Sequence, residues 1–204
     1  MDAGLIVRAI VLGFTIAAAV GPISLLTIRR TLAHGRLYGL ASGVGVALAD
    51  GTYAGIAAFG LTAITNVLVG GRTLLGLVGG AIIVLLAIRT ITSRPTEAPT
   101  DVDGPGLAAA AASIYGLTMT NPMTILSFAA LFGALGLSGR GGIEAAELTA
   151  GVFVGSGLWW LGLTSVVGWL RTRVTVDALT WVNRISGIVL LVFGLGAIAT
   201  ALIG

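Results

Sequence analysis

The chain has 204 residues, of which 56% are hydrophobic and 9% are charged, and its formal net charge at pH 7 is +3. A mean hydropathy of +1.06 excludes a water-soluble domain and indicates an integral membrane protein. The absence of cysteine excludes disulfides and thiolate metal sites, and the absence of lysine excludes a Walker-type ATP site.

Six apolar runs predict the membrane-spanning segments, because a helix needs about 20 apolar residues to cross about 30 Å of hydrocarbon. The sequence therefore predicts an all-α integral membrane protein, a single domain over 1–204 with six transmembrane helices. The first run has no signal cleavage site and is expected to be a permanent span. The runs are residues 9–28, 37–64, 74–91, 104–139, 148–170 and 185–204.

The first predicted helix carries Gly21 and Pro22 in its middle, within AAAVGPISLLTIRR. Proline inside a helix removes a backbone donor and costs about 3 kcal/mol, but it suits the first position of a helix. Pro22 is therefore predicted to begin a second half-helix, with unpaired amides at Ile23, Ser24 and Leu25 at its positive end. The alternative is a plain proline kink that neighbouring helices satisfy.

Asp50 lies inside the second predicted helix, in GVALADGTYAG, with apolar sequence on both sides. A carboxylate at the centre of a span costs about 2.5 to 3.5 kcal/mol on insertion scales, so it is a functional candidate. Asp50 is predicted to take the amino group of a substrate, to carry a proton, or both. The structural alternative is a salt bridge or a hydrogen-bonded strut between helices.

The fourth predicted helix repeats the proline break with Asn121 and Pro122, in TMTNPMTILSF. By the same reasoning, Pro122 is expected to free the carbonyl of Thr118 and the amides of residues 123–125. Two such breaks in corresponding places favour a pair of half-helix ends that bind a carboxylate and an ammonium.

A linker rich in proline, threonine and acid, residues 92–106, divides the chain into two halves, 1–91 and 107–204. Each half has three predicted spans, and an odd number of spans makes the second half enter the membrane in the opposite sense. The sequence therefore predicts two inverted three-helix repeats, with the site at the broken segments near the midplane.

Trp159 lies in the middle of the fifth predicted helix, away from the interface where tryptophan is usually found. Its ring could line a cavity and face a cation, or it could be ordinary packing. Pairs of small residues four apart, such as Gly39 with Gly43 and Gly151 with Gly155, permit close helix contact and a homodimer.

The arginines indicate topology rather than nucleic-acid binding. The loops after the first, third and fifth helices are richer in arginine, which predicts that they are cytoplasmic and that both termini are outside. Arg29 and Arg30 could also gate the cytoplasmic mouth, which the sequence leaves open.

Three segments resemble the lysine exporter (LysE/RhtB) family: GPISLLTIRRTLAHGRLYGLASGVGVALAD, TNPMTILSFAALF and WVNRISGIVLLVFGLGAIA. The resemblance implies export of amino acids or close relatives from the bacterial cytoplasm, driven by the proton motive force. It also implies that Gly21, Pro22, Asp50, Asn121 and Pro122 form the core of the pathway. The chain departs from the family where Ile23 and Met123 replace residues that are often polar.

These observations together predict a secondary exporter of an amino acid, basic ones included, or of a closely related small amine. It is expected to lie in the inner membrane as a homodimer, to bind its substrate and a coupling ion, which the resemblance implies is a proton, and to need no cofactor. The alternatives are a metal-cation exporter or a non-transporting subunit or enzyme. The predicted substrate-binding residues are Gly21, Pro22, Ser24, Asp50, Thr118, Asn121, Pro122 and Trp159.

Overall fold

A computed structural model describes residues 3–18, 21–60, 71–92, 106–121, 124–125, 127–128, 131–132, 137, 142–171 and 175–203. The described residues contain no strand, and they form seven helices of regular length. These helices are α1 (Ala3–Ala18), α2 (Pro22–His34), α3 (Arg36–Ala58), α4 (Arg72–Thr92), α5 (Leu107–Met119), α6 (Gly142–Arg171) and α7 (Val176–Ile203). The predicted all-α fold is confirmed. Most of the linker 92–106 lies outside the described residues.

Three helices in the described part of the chain are long and apolar enough to cross a membrane: α3, α6 and the segment Thr180–Ile203 of α7. The bent pair of α1 and α2 makes a fourth span if it is counted as one. Shorter apolar helices occupy Gly76–Thr92 and Leu107–Met119. The helices fit a multi-pass membrane protein, while the count of six spans and the repeat boundaries stay predictions.

Helices α3 and α6 lie against each other and run antiparallel. Helix α1 packs along α6 in the same direction, and α5 packs along α3 in the same direction. Helices α4 and α7 form an antiparallel pair. Half-helix α2 contacts α3, α5, α6 and α7, so it lies in the middle of the described assembly.

Two of these pairings depend on a glycine that lies on the backbone of its neighbour. A Cβ added at Gly155 of α6 would overlap the carbonyl oxygen of Ile10 in α1. A Cβ added at Gly45 of α3 would overlap the carbonyl oxygen of Ala111 in α5. Only glycine permits backbones to approach this closely, which is how small residues hold helices together where lipid removes the hydrophobic driving force.

The buried apolar side chains form two clusters along the length of the bundle. The Phe128 cluster is Leu5, Ala9, Tyr53, Ala54, Ala58, Ile125, Phe128, Phe132, Leu137, Ala145, Leu148 and Val152. The Trp160 cluster is Ala17, Ile23, Leu26, Val46, Ala47, Ile83, Ala87, Ile114, Leu117, Trp160 and Leu190. Asp50 follows Ala47 and precedes Tyr53 on α3, so it lies where the two clusters meet.

Three arginines form hydrogen bonds between α2 and neighbouring helices. Arg171 at the end of α6 donates from Nε to the carbonyl of Leu32 at 2.9 Å, which satisfies one of the last carbonyls of α2. Arg29 donates to the side-chain oxygen of Asn183 in α7 at 3.1 Å. Arg30 donates to the carbonyl of Ala110 at 3.1 Å and to hydroxyls on α3 and α5. These arginines therefore have structural partners besides any role in topology.

Candidate functional site

The first break lies where proline chemistry predicts it. Helix α1 ends at Ala18, Gly21 is extended (φ −146°, ψ −171°), and Pro22 occupies the first turn of α2. The two helices are bent by 77°. The predicted half-helix that begins at Pro22 is confirmed.

The predicted free amide at Leu25 is wrong. The amide of Leu25 donates to the carbonyl of Gly21 at 3.1 Å, because the residue that caps a helix supplies the first intrahelical acceptor. The extended φ of Gly21 also needs no glycine. A Cβ added there would meet no described atom within 4 Å, so the glycine leaves room beside the break.

At the second break, after α5, more backbone amides and carbonyls form hydrogen bonds than predicted. The amide of Asn121 donates to the carbonyl of Thr118 at 3.1 Å, so the prediction that this carbonyl is free is wrong. The amides of Thr124 and Ile125 both donate to the carbonyl of Asn121, at 3.1 and 3.2 Å, so they are not free either. Hydrogen bonds between residues three or four apart tighten the chain at a helix end. Pro122 and Met123 lie outside the described residues.

Asp50 is buried, with 2% of its surface exposed, and it accepts a hydrogen bond from the hydroxyl of Ser156 on α6 at 2.7 Å. Ser156 is fully buried. No cationic side chain of the described residues pairs with Asp50, so the salt-bridge alternative has no support there. The carboxylate is instead held by one neutral donor at the junction of α3 and α6.

Asp50 and the first break can be compared by their distances from the turn that joins α2 and α3. Thr31 of α2 lies directly against Gly39 of α3, across the turn at Gly35. At about 1.5 Å per residue, Gly21 is about 15 Å along α2 from that contact, and Asp50 is about 16 Å along α3. Gly21 and Asp50 are therefore about equally far along their helices from the turn that joins α2 and α3.

The remaining predicted residues are dispersed around this centre. Ser24 is buried in the first turn of α2. Thr118 is buried and donates its hydroxyl to the carbonyl of Ile114 at 2.9 Å, which leaves that donor occupied. The ring of Trp159 meets Phe14 of α1 edge to face at 5.3 Å, which supports a packing role for the ring. Asn121 is half-buried at the second break.

Tyr53 is a site residue that the sequence reasoning missed. It donates its hydroxyl to the carbonyl of Met119 at 2.6 Å, at the end of α5 just before the second break. Its ring stacks on Phe128 at 5.6 Å. Tyr53 lies three residues after Asp50, on the same face of α3, and this spacing was the available signal. One turn of α3 therefore carries the buried acid and also contacts the end of α5 at the second break.

The hydroxyl of Thr27 and the indole nitrogens of Trp159 and Trp160 are buried donors with no hydrogen-bond partner among the described residues. A buried donor left unsatisfied costs about 1 to 3 kcal/mol, so each such group calls for an explanation. All three belong to residues of α2 and α6 on the side of the Trp160 cluster.

The site shows no metal-ligand set in its described part. No group of three or more His, Cys, Asp or Glu side chains comes together there. A carboxylate with a single hydroxyl partner in apolar surroundings is instead suited to a proton or to an organic ammonium, which needs one counter-charge rather than several ligands.

Comparison with known proteins identifies the family of the chain. The model of the LysE type translocator family matches residues 14–200. The chain is 26% identical over 191 residues to the Bacillus subtilis (strain 168) protein named "Putative amino acid efflux protein YcgF", with 91% of this chain and 90% of that protein covered. No solved structure matches the chain. Since the family match spans nearly the whole sequence, the chain belongs to the LysE type translocator family.

Proposed function

We propose that the protein is a secondary active exporter of an amino acid or a closely related small amine, driven by the proton motive force across the bacterial inner membrane. The family supports export, and the name of the B. subtilis relative supports amino acids as cargo. The observation that carries the proposal is the buried Asp50 carboxylate, whose partner among the described residues is the neutral hydroxyl of Ser156. Asp50 is about as far along its helix from the turn between α2 and α3 as Gly21, beside which there is open space.

The proposed mechanism follows from the cost of an unneutralised carboxylate in apolar surroundings. Either a proton or the ammonium of a substrate can neutralise Asp50, and one carboxylate cannot hold both at once. A proton that arrives from outside therefore displaces the substrate, and a substrate that arrives from the cytoplasm displaces the proton. Competition at one site couples outward substrate movement to inward proton movement.

Alternating access would use two inverted three-helix repeats, the architecture proposed for the six spans. If the two halves are repeats, α1 corresponds to α5 and α6 corresponds to α3. The parallel pair α1 and α6 then corresponds to the parallel pair α5 and α3. In the same way, the contact of Gly155 with Ile10 corresponds to that of Gly45 with Ala111. The antiparallel pairs α3 with α6 and α4 with α7 each correspond to themselves. This correspondence supports the repeat boundaries 1–91 and 107–204.

The proposal includes a cytoplasmic location for the three arginine-rich loops, both termini outside, and a homodimer whose contact is made by small residues. Cysteines introduced singly at each terminus would test the topology by labelling with a membrane-impermeant reagent in intact cells. Labelling of both termini only after permeabilisation would contradict it.

The experiment for the function uses purified protein in liposomes that are loaded with each of the standard twenty labelled amino acids. A pH gradient is imposed, and efflux is compared with that from protein-free liposomes. We expect one or a few amino acids to leave, and efflux to stop when the gradient is collapsed by an ionophore. If none leaves while the protein remains folded, the proposed cargo is wrong. Liposomes loaded with divalent cations then test the metal-exporter alternative.

A further inference from the structure

Thr27 is unusual among the helical threonines of this chain. Among the described side chains, nine other helical threonines and Thr120, directly after α5, donate their hydroxyl to the carbonyl one turn earlier, which is the ordinary way for a helix to satisfy threonine. Thr27 is fully buried and makes no such bond, nor any other with the described residues. The ten are Thr15, Thr31, Thr52, Thr90, Thr92, Thr118, Thr120, Thr149, Thr164 and Thr200.

Trp160 presents a second donor of the same kind. It is 3% exposed, and its indole N–H has no partner among the described residues. Buried tryptophans normally find an acceptor for this group. Its Cβ rests on Gly43 of α3, where a side chain would overlap it, so the ring is fixed between α3 and α6.

The two donors are close to the contact between α2 and α3. From the contact between Thr31 and Gly39, Thr27 is about 6 Å along α2 and Gly43 about 6 Å along α3. Helix α2 also contacts α6, which puts Trp160, resting on Gly43, in the neighbourhood of Thr27. Helical side chains lean toward the N-terminus of their helix, which on α6 is the direction of Ser156 and its partner Asp50.

The chemistry of the two positions is complementary. Asp50, held by Ser156 one turn before Trp160, is an acceptor with negative charge. The hydroxyl of Thr27 and the indole of Trp160 are donors without a protein acceptor. By the same helix rise, Asp50 lies about 10 Å further along α3 than Gly43. A ligand with a cation at one end and an anionic acceptor at the other satisfies both positions, and an amine with no acid group satisfies only the first.

We propose that Thr27 and Trp160 form a subsite that donates hydrogen bonds to the carboxylate of a substrate whose ammonium is bound by Asp50. The subsite rests on the proposed export function and narrows its cargo to amino acids rather than simple amines. A site built to bond a polar group of its substrate rejects analogues that lack the group, because its own donors are then left unpaired.

The test compares, in the same liposomes, the amino acid of the panel that moves fastest with the amine that its decarboxylation gives. Each is used unlabelled to inhibit transport of the labelled amino acid, and the ratio of the two half-inhibitory concentrations is measured. This ratio does not depend on the amount of folded protein. We expect the wild type to prefer the amino acid by tenfold or more.

The variants are Thr27→Val, which keeps the shape of the side chain, and Trp160→Phe. Each is expected to lower the preference for the amino acid about tenfold, the cost of one hydrogen bond to a charged group. The controls Thr200→Val and Trp169→Phe make the same changes at exposed positions and should keep the wild-type ratio.

The possible outcomes distinguish a failure of the subsite from a failure of the proposed export function. A wild-type ratio near one, or an unchanged ratio in both variants, overturns the subsite and leaves the exporter proposal standing. Inhibition that weakens equally for amino acid and amine also overturns it, since that result means general damage to the site. If the wild type moves no amino acid, the proposed function fails and the subsite fails with it.

Discussion

The hydroxyl of Ser156 in α6 donates to the carboxylate of Asp50 in α3 over 2.7 Å, with both residues buried. Asp50→Asn keeps the shape of the side chain and a hydrogen bond with Ser156 but removes the charge that a proton or an ammonium neutralises. We expect amino acid efflux from proteoliposomes to fall at least tenfold, with thermal unfolding unchanged or slightly later. The control is Asp177→Asn, an exposed acid in the first turn of α7, which should transport normally. Wild-type efflux by Asp50→Asn would remove the acid from the mechanism.

Tyr53→Phe removes the hydroxyl that satisfies the Met119 carbonyl at the end of α5. The ring stacking on Phe128 is retained, so the loss isolates the hydrogen bond. We expect the free energy of unfolding to fall by about 1 to 2 kcal/mol, measured by denaturant titration in detergent. Tyr115→Phe is the matched control, since its hydroxyl meets Thr52 at a longer 3.4 Å and should matter less. Equal losses in the two variants would contradict a special role for Tyr53.

Gly155→Ala places a methyl group on the carbonyl oxygen of Ile10 and must push α1 away from α6. Overpacking of this kind costs about 1 to 3 kcal/mol or more, and we expect lower thermal stability and a lower yield of folded protein. The neighbouring Gly157→Ala meets no described atom within 4 Å, and it should be neutral or stabilise the helix by up to about 1 kcal/mol. The prediction fails if the two variants unfold at the same temperature.

Arg30→Lys separates the two roles that the sequence left open for this residue. Lysine keeps the positive charge that sets topology, but it cannot reproduce the bonds to Ser42, Ala110 and Ser113. We expect unchanged topology and a loss of about 1 to 2 kcal/mol in the free energy of unfolding. Arg89→Lys, at an exposed position in α4, is the control. A variant as stable as the wild type would reduce Arg30 to a topology signal.

The sequence was most informative where the cause was local. Proline and its missing amide dictate where α2 begins, and a charge inside an apolar run marks Asp50 without any knowledge of its neighbours. The pairing of Leu25 and of Thr118 was predicted wrongly because it depends on how tightly the chain turns after each break.

Contacts between distant segments were not predictable. Nothing in the sequence near Asp50 names Ser156 as its partner, because the packing of α3 on α6 brings together residues 106 apart. Thr27 was equally hidden, since a threonine on a buried helix face is ordinarily satisfied by its own backbone. Its significance emerged only from the comparison with the other threonines of the fold.

The glycines at 45 and 155 restrict which motions the bundle can make. A helix whose backbone lies on a carbonyl of its neighbour cannot slide along that neighbour without collision. The pair α1 and α6 and the pair α3 and α5 are therefore each expected to move as a rigid body. Between α3 and α6 the nearest contacts at Gly43, Gly51 and Gly55 are with side-chain atoms of Trp160, Phe153 and Thr149 rather than with backbone carbonyls. Displacement during transport is therefore expected to concentrate at this seam, and each turnover would break and remake the bond between Asp50 and Ser156.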